Sequence, residues 1–199
     1  MINKNSALVA LSLALLAGCA STGAPLSSTS VAAYSDSIDL SGRLTINFER
    51  DGKPDTLTGN FSWTQTAAGV DVNLASPLGQ TIATINVKPG AATLTQSGRA
   101  PRVAADIDSL TAQTLGWSLP VSGLRDWLQG YATGSDGKRF AASPANNTVT
   151  TPDGWRLTFV SWHQVTGDAR PAPKRIDAQR SATASAGELA IRIIVDAKA

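Results

Sequence analysis

The sequence contains a single cysteine, Cys19, and a single histidine, His163, among its 199 residues. One thiol cannot form a disulfide within the chain, and one thiol with one imidazole is too few for a zinc site of the usual Cys and His composition. A transition-metal site would need carboxylates alone, and no acidic cluster has the spacing of such ligands. We therefore expect no metal site and no cofactor.

Motifs for catalysis are also missing from the sequence. No serine lies in a Gly-x-Ser-x-Gly elbow, and no glycine-rich loop is present that could hold a phosphate. His163 follows Trp162, and nothing in the sequence marks it as a base. A Ser-His-acid triad is assembled in space rather than in sequence, so that arrangement stays open here. We predict that the protein is not an enzyme and that His163 is structural.

Charge is low and balanced, since 17 Lys and Arg residues against 15 Asp and Glu residues give a net charge of +2. This composition lacks the dense basic surface of a nucleic-acid-binding protein, so we expect no nucleic acid as a partner. One basic cluster comprises Arg170, Lys174, Arg175 and Arg180. Its charges fit a solvated loop and an edge strand, and the alternative is a docking surface for an acidic partner or anionic lipid head groups.

The N-terminus has the order of a secretory signal. Lys4 precedes a stretch from Ala7 to Ala17 that is apolar apart from Ser12, and Gly18 and Cys19 follow it. A positive start, a short apolar region and small residues before a cut mark such signals. The stretch is too short for a transmembrane anchor, which needs about 20 apolar residues. Because the small residues end in a cysteine, the pattern resembles a bacterial lipoprotein signal.

The lipoprotein resemblance divides the first part of the chain. It implies that residues 1–18 are a signal peptide and that the chain is cut before Cys19, whose thiol carries the lipid anchor. An Asp after the cysteine often retains lipoproteins in the inner membrane, so Ala20 favours the outer membrane, with the protein facing the periplasm. Residues 19–37 are rich in Ser, Thr, Ala and Gly, which predicts a lipidated flexible tether.

From Ile38 onward apolar and polar residues alternate, which is the pattern of strands with one dry and one wet face. The alternating or strand-like stretches are 44–48, 61–65, 70–74, 83–87, 155–159, 174–178 and 189–195. Turn sequences at 51–53 and 88–90 favour consecutive hairpins. We predict one mainly β domain over residues 38–199.

Two short helices interrupt the strand pattern. Residues 107–115 carry apolar side chains at helical spacing, and Gly116 suits a helix end. Ser122 fits the N-cap of a second helix, on which Leu124 and Trp127 share one face. The residues alone thus predict a curved antiparallel sheet with about two helices inserted between its halves.

Three groups of residues share their order and spacing with one known family. They are GRL at 42–44 with GNFSW at 59–63, LASPLGQT at 74–81, and LPVSGLRDWLQG at 119–130 with Gly154, Trp155 and Pro173. Together with the lipoprotein signal they resemble LolB, the outer-membrane lipoprotein receptor. The resemblance extends from about Ile38 to Val195, which is most of the chain after the signal.

The resemblance implies a half-open antiparallel β-barrel with a helical lid over an apolar cavity. It also implies a lipid-anchored receptor that accepts lipoproteins from the periplasmic carrier LolA and inserts them into the inner leaflet of the outer membrane. Each buried methylene is worth about 0.8 kcal/mol, so acyl chains must pass from one dry pocket to another. The expected partners are a LolA-type carrier, the acyl chains of lipoprotein cargo and the membrane, and we expect a monomer.

Site residues follow from the same resemblance. It assigns Pro77, Leu78 and Gly79 to a membrane-insertion loop, because the matching leucine of the family protrudes and is needed for insertion. From the residues alone, Leu78 could equally fill the core or be an isolated exposed leucine. The candidates for the cavity wall and its lid are Leu44, Ile46, Phe61, Trp63, Leu74, Ile85, Leu115, Leu119, Leu124 and Trp127.

Several questions stay open in the sequence. Periodicity does not distinguish a ligand-lined cavity from packed core, and Arg43 could lie at a cavity mouth or merely in a strand pair. The alternative function is a structural outer-membrane lipoprotein that scaffolds an envelope assembly, which would need neither a cavity nor an exposed Leu78. A periplasmic lipid hydrolase would need a nucleophile and a base that the sequence does not reveal.

Overall fold

The computed structural model describes residues 26–50, 52–115, 121–163, 170–182 and 187–197, with the backbone alone for Arg50 and Leu115. The predicted signal peptide 1–18, the anchor residue Cys19 and the lid candidate Leu119 lie outside the described residues.

Within the described residues, the alternating stretches form strands and the two helical stretches form helices. The strands are β1 (Ile38–Arg50), β2 (Lys53–Thr66), β3 (Gly69–Ala75), β4 (Thr81–Lys88), β5 (Ala91–Gln96), β6 (Arg102–Ala104), β7 (Tyr131–Thr133), β8 (Arg139–Ala141), β9 (Thr148–Thr150), β10 (Arg156–Trp162), β11 (Pro173–Arg180) and β12 (Leu189–Val195). The helices are α1 (Ile107–Leu115) and α2 (Val121–Trp127). The mainly β fold with inserted helices is confirmed.

Ten of the described strands form one antiparallel sheet in the order β6-β5-β4-β3-β2-β1-β12-β11-β10-β9, and β7 and β8 pair separately. Strands β1 to β5 are the predicted consecutive hairpins, and Gly90, at φ +76°, closes the turn predicted at 88–90. The last strand returns beside the first, with Leu44 opposite Ile193 and Ile46 opposite Ile191. This pairing joins the strands before the helices and those after them into one sheet.

The inner face of β10 and β11 is packed solid. Trp155, Leu157, Phe159 and Ile176 are wholly buried there. Trp127 of α2 packs against the same core, with its ring centroid 6.1 Å from that of Trp155. The packed core therefore lies under β10 and β11. The inner face of β1 to β5 is covered instead by α1 and the remaining side chains of α2.

The helices are fixed at their N-terminal ends by carboxylates. Asp106 caps α1 by accepting hydrogen bonds from the Ser109 N–H at 2.7 Å and its hydroxyl at 2.8 Å, and these bonds lower the pKa of Asp106. Ser122 was predicted as the N-cap of α2, but the helix begins one residue earlier. Its N–H instead donates to the Asp108 carboxylate of α1 at 3.1 Å, which ties the two helices together.

Residues 26–37, predicted as part of a flexible tether, are held against the domain. Val31 is buried, and its N–H donates to the carbonyl oxygen of Ala142 at 3.0 Å. Gln129 accepts from the Ser35 N–H at 2.9 Å and donates to the Ser35 carbonyl oxygen at 3.0 Å. The composition of the segment suggested flexibility because few of its residues are apolar. Its buried valine and its hydrogen bonds to Ala142 and to the Gln129 side chain nevertheless hold it against the domain.

An ion-pair cluster lies on the outer face of β11 and β12. Arg175 donates twice to the carboxylate of Asp177, at 3.0 and 2.6 Å, and Arg192, directly opposite on β12, donates at 3.2 Å. Partial burial raises the pKa of Asp177, but the hydrogen bonds from the two guanidinium groups outweigh it and hold the pKa below its ordinary value. The cluster therefore stabilises the fold while Asp177 is ionised.

We expect Asp177→Asn to remove a small, pH-dependent stabilisation. Because folding lowers the pKa of Asp177, the stabilisation is present above the unfolded-state value of about 3.9 and is lost as the pH falls through the folded-state value. The free energy of unfolding should drop by about 1 kcal/mol or less at pH 7, since the group is partly exposed. Urea unfolding between pH 7 and pH 3 measures this difference, which should shrink below about pH 4.

The matched control for this prediction is Asp136→Asn, because the pair of Asp136 with Lys138 is exposed and 3.7 Å long. Such a pair contributes little, so the control should unfold like the wild type. A loss on Asp177→Asn that stays constant from pH 7 to pH 3 would contradict the role given to the carboxylate.

Candidate functional site

A cavity of about 190 Å³ lies between the inner face of the sheet and the helices. Side chains of β1 to β5 and β12 form one wall, and side chains of α1, α2 and Leu128 just after α2 form the other. The wall is apolar apart from Gln96, Thr111 and Thr114. Enclosed apolar cavities of about 150 Å³ stay dry and bind small apolar molecules, so a wall of this composition is suited to hydrocarbon.

The structure brings together most of the residues that the sequence assigned to the cavity. Those on its wall are Leu44, Ile46, Phe61, Trp63, Leu74, Ile85 and Leu124. Trp127 does not line the cavity, because its ring lies in the packed core against Trp155. The position of the Leu115 side chain and all of Leu119 lie outside the described residues. Contact of any of these residues with lipid stays a prediction.

Several wall residues could not be assigned from the sequence, because their strands have the expected pattern but the order of the strands in the sheet was unknown. Ile191 and Ile193 flank the exposed Arg192, but only the pairing of β12 with β1 brings them beside Leu44 and Ile46. A sequence pattern gives the face of a strand and not its neighbours.

Ile82 was missed because the strand is irregular there. Simple alternation along β4 puts Ile82 on the outer face with Thr84 and Asn86. The register shifts at this point, since Leu74 pairs with Ala83 whereas Ala75 pairs with Thr81, so Ile82 is the extra residue of a β-bulge. A bulge redirects side chains locally, and Ile82 lines the cavity.

The polar groups on the helical wall are occupied within the helix. The hydroxyl of Thr111 donates to the carbonyl oxygen of Asp108 at 2.9 Å, and that of Thr114 donates to the carbonyl oxygen of Leu110 at 2.8 Å. These bonds turn the hydroxyl hydrogens towards the backbone. The helical wall therefore presents mainly hydrocarbon to the cavity.

Two consecutive hydrogen bonds link Trp63 of the cavity wall to Gln65 and Tyr34. Trp63 donates from Nε1 to Oε1 of Gln65 at 3.2 Å, and Nε2 of Gln65 donates to the hydroxyl of Tyr34 at 3.0 Å. Gln65 is fully buried, and Tyr34 belongs to the N-terminal segment that is held against the domain. These two hydrogen bonds fix the indole of Trp63 in the cavity wall and connect it to the N-terminal segment.

We expect Gln65→Leu to lower the free energy of unfolding by about 1–3 kcal/mol, because it leaves the buried Trp63 Nε1 without its acceptor. Tyr34→Phe removes only the hydrogen bond between Gln65 and Tyr34 and should cost about 0.5–1.5 kcal/mol. Urea unfolding of both variants and of the double variant measures the coupling between the two bonds. Wild-type stability in Gln65→Leu would show that these hydrogen bonds contribute nothing to the free energy of unfolding.

Leu78 stands on a tight, well-bonded turn between β3 and β4. The Ser76 N–H donates to the Gln80 carbonyl oxygen at 2.8 Å, and the Gly79 N–H donates to the Ser76 carbonyl oxygen at 2.9 Å. Gly79 has φ +86°, which a residue with a side chain rarely adopts. Within this turn the side chain of Leu78 is 91% exposed. It fills no part of the core, so that alternative is excluded.

The other residues singled out by sequence lie away from the cavity. Arg43 is exposed on the outer face of β1, between Asn60 of β2 and Ile194 of β12, and does not lie at a cavity mouth. His163 follows β10, and its backbone N–H donates to the Ala172 carbonyl oxygen at 2.9 Å.

Three of the four residues of the basic cluster have partners inside the domain. Arg170 donates to the Ser30 carbonyl oxygen at 3.4 Å, Arg175 binds Asp177, and the guanidinium of Arg180 lies 5.0 Å from the ring of Trp155. Strand β11 lies between β10 and β12, so it is not the edge strand that was expected. These contacts favour the structural interpretation of the cluster.

In the part of the chain that the structure describes, no three His, Cys, Asp or Glu side chains come together as metal ligands. The same residues contain no helix that is long and apolar enough to cross a membrane.

The family model "Outer membrane lipoprotein LolB" matches residues 36–197. This chain belongs to the LolB family. An outer-membrane lipoprotein LolB of Cupriavidus pinatubonensis is 36% identical over 92% of this chain and 88% of its own length. Those of Cupriavidus taiwanensis and Cupriavidus necator are 33% and 35% identical, over 98% and 92% of this chain and 97% and 90% of their own lengths.

Membership of the LolB family confirms the resemblance found in the sequence motifs. The match covers the whole sheet, both helices and the cavity between them. It also confirms an outer-membrane lipoprotein, the class and location that the N-terminal motif predicted. Neither the family description nor the names of these relatives point to catalysis.

Proposed function

We propose that this chain is a lipid-anchored receptor for lipoproteins. It accepts them from a LolA-type periplasmic carrier, holds their acyl chains in the cavity and releases them into the inner leaflet of the outer membrane. The observation that carries the proposal is the apolar cavity of about 190 Å³ in a LolB-family domain. No bond is made or broken in such a transfer, in keeping with the absence of catalytic motifs from the sequence.

The energetics favour direct transfer between pockets. Exposing an acyl chain to water costs about 0.8 kcal/mol for each methylene, so a free chain in the periplasm is strongly disfavoured. The receptor needs only a slightly tighter pocket than the carrier, since about 1.4 kcal/mol gives a tenfold preference. Release into a membrane then removes the cargo and makes transfer proceed in one direction.

The sheet and helices suit a half-open barrel with a lid. The strands supply the concave side, and α1 and α2 supply the opposite wall of the same cavity. The two helices are joined through Asp108, which accepts from both the N–H and the hydroxyl of Ser122, at 3.1 and 2.5 Å. In this proposal α1 and α2 move as one lid when cargo enters or leaves.

Two features attach the receptor to the membrane in the proposed mechanism. Lipid on Cys19 anchors the N-terminus, and several acyl chains make such an anchor firm. The exposed Leu78, carried by Pro77 and Gly79 on its turn, dips into the membrane interface and helps to discharge the cargo. The scaffold alternative explains neither the cavity nor this leucine, so it is not favoured. The receptor acts as a monomer in this proposal.

The test uses protein that starts at Ala20, together with a carrier loaded with a tagged lipoprotein. Pull-down in the absence of membrane and nucleotide shows whether the cargo moves to this chain. We expect transfer of the lipidated cargo and no transfer of the same cargo with its lipid-bearing cysteine replaced by serine. If folded protein and a competent carrier give no transfer, the receptor function is wrong and the scaffold function takes its place.

A further inference from the structure

Two residues on the sheet wall of the cavity are also exposed to solvent. Among the described residues that line it, Leu57 and Ile82 are the exposed ones, at 38% and 42% of the residue surface. The other lining residues are buried or half-buried. A side chain that both lines a cavity and faces water lies at its rim.

The rim depends on the bulge in β4. Without the register shift between β3 and β4, Ile82 would face outward with Thr84 and Asn86. The extra residue lets Ile82 line the cavity instead. Bulges are frequent beside functional sites, where they redirect a side chain in this way. The irregularity gives the rim an apolar side chain that regular pairing would not supply.

The rim lies at the same end of the sheet as Leu78. Ile82 belongs to β4, just after the turn of residues 76–80 that carries Leu78. On the neighbouring strand Asn60 pairs with Ala75, the last residue of β3, and Leu57 lies three residues further towards this end. At about 3.4 Å per residue, Leu57 is about 10 Å beyond that pair along β2.

We propose that Leu57 and Ile82 form the mouth through which acyl chains enter and leave the cavity, and that the departing chain passes from this mouth towards Leu78. The inference rests on the proposed receptor function and adds to it the place of passage. An apolar rim keeps the methylenes of a crossing chain partly out of water. The rim therefore controls how fast chains cross, whereas the interior wall controls how tightly they are held.

Photo-crosslinking tests the mouth in the complete, lipidated protein in cells. The photoreactive residue p-benzoylphenylalanine is placed at Leu57 or Ile82, and at Leu124 as a position on the cavity wall. Val103 and Val160 are the matched controls, since they are apolar and 63% and 41% exposed but do not line the cavity. The probe is a tagged lipoprotein, compared with the same protein carrying serine in place of its lipidated cysteine.

We expect lipid-dependent adducts with the cargo at Leu57, Ile82 and Leu124, and none at Val103 and Val160. Adducts at Leu124 without adducts at Leu57 and Ile82 would overturn the mouth and leave the receptor function in place. Equal adducts at Val103 or Val160 would also overturn it. Absence of lipid-dependent adducts at every position would count against the receptor function itself.

Kinetics of transfer provide a second, independent reading. A charge at the mouth hinders an apolar chain in both directions, so Ile82→Asp should slow uptake and release by about fivefold or more while the equilibrium share of cargo changes by less than about twofold. Val160→Asp is the control and should transfer at the wild-type rate. Unchanged rates in a folded Ile82→Asp variant would contradict passage at this rim, and thermal unfolding of both variants verifies the fold.

Discussion

Replacing Leu78 with glutamate should block release of cargo into membranes and leave cargo acceptance intact. The side chain is 91% exposed, so its loss removes no packing, and the free energy of unfolding should change by no more than about 0.5 kcal/mol. A carboxylate resists entry into the membrane interface, and a penalty of about 1.4 kcal/mol already slows release tenfold. Flotation of liposomes after mixing with cargo-loaded receptor measures the release.

The control for this substitution is Val103→Glu, which places the same charge at another exposed apolar site outside the cavity. It should release cargo like the wild type, because Val103 has no part in the proposed contact with membrane. Normal release by Leu78→Glu would remove the turn from the mechanism. Unfolding of Leu78→Glu would instead mean that the leucine supports the fold.

Filling the cavity should weaken acyl binding without unfolding the domain. Ala83 is buried, lies on the cavity wall and pairs with Leu74 and Gln96. The ring introduced by Ala83→Phe would occupy space meant for acyl chains, and we expect affinity for a fluorescent fatty acid to fall by about tenfold or more, equivalent to about 1.4 kcal/mol. Thermal unfolding should shift little, because the ring enters a space that already exists.

The matched control is Ala92→Phe. Ala92 is buried on the same face of the adjoining strand β5 but does not line the cavity. A ring there must displace packed atoms, which costs about 1–3 kcal/mol. If Ala83→Phe destabilises the domain as much as Ala92→Phe, the space near Ala83 is too small to hold a chain. If Ala83→Phe is stable and binds the fatty acid normally, the acyl site lies elsewhere.

The inward faces of the strands were predictable because each strand carries its own alternating pattern. Leu44, Ile46, Phe61 and Trp63 could be assigned to one face without knowing which strands are neighbours. Ile191 and Ile193 could not be placed in the site, because their proximity to β1 depends on a pairing across most of the chain. Long-range pairing leaves no local signal in a single sequence.

The errors had local physical causes. Ile82 breaks the period of two, because a bulge adds one residue to β4. Trp127 has the spacing of a lid residue, but its ring packs against Trp155 in the core and does not line the cavity. The cavity itself came from the family resemblance, since a pattern of apolar residues looks the same whether it is packed or lines a space.

The N-terminal segment held against the domain determines how far the receptor can travel from its anchor. The carbonyl oxygen of Ser27 already accepts a hydrogen bond from the Ala145 N–H at 3.0 Å. If Cys19 carries the lipid, as the N-terminal motif predicts, only residues 20–26 separate it from Ser27, and seven residues can span about 25 Å at most, whatever their conformation. So short a connection would keep the domain at the membrane surface and raise the local concentration of Leu78 there. In the proposed mechanism a loaded carrier would then have to come to the membrane, because a receptor anchored in this way cannot reach across the periplasm to meet it.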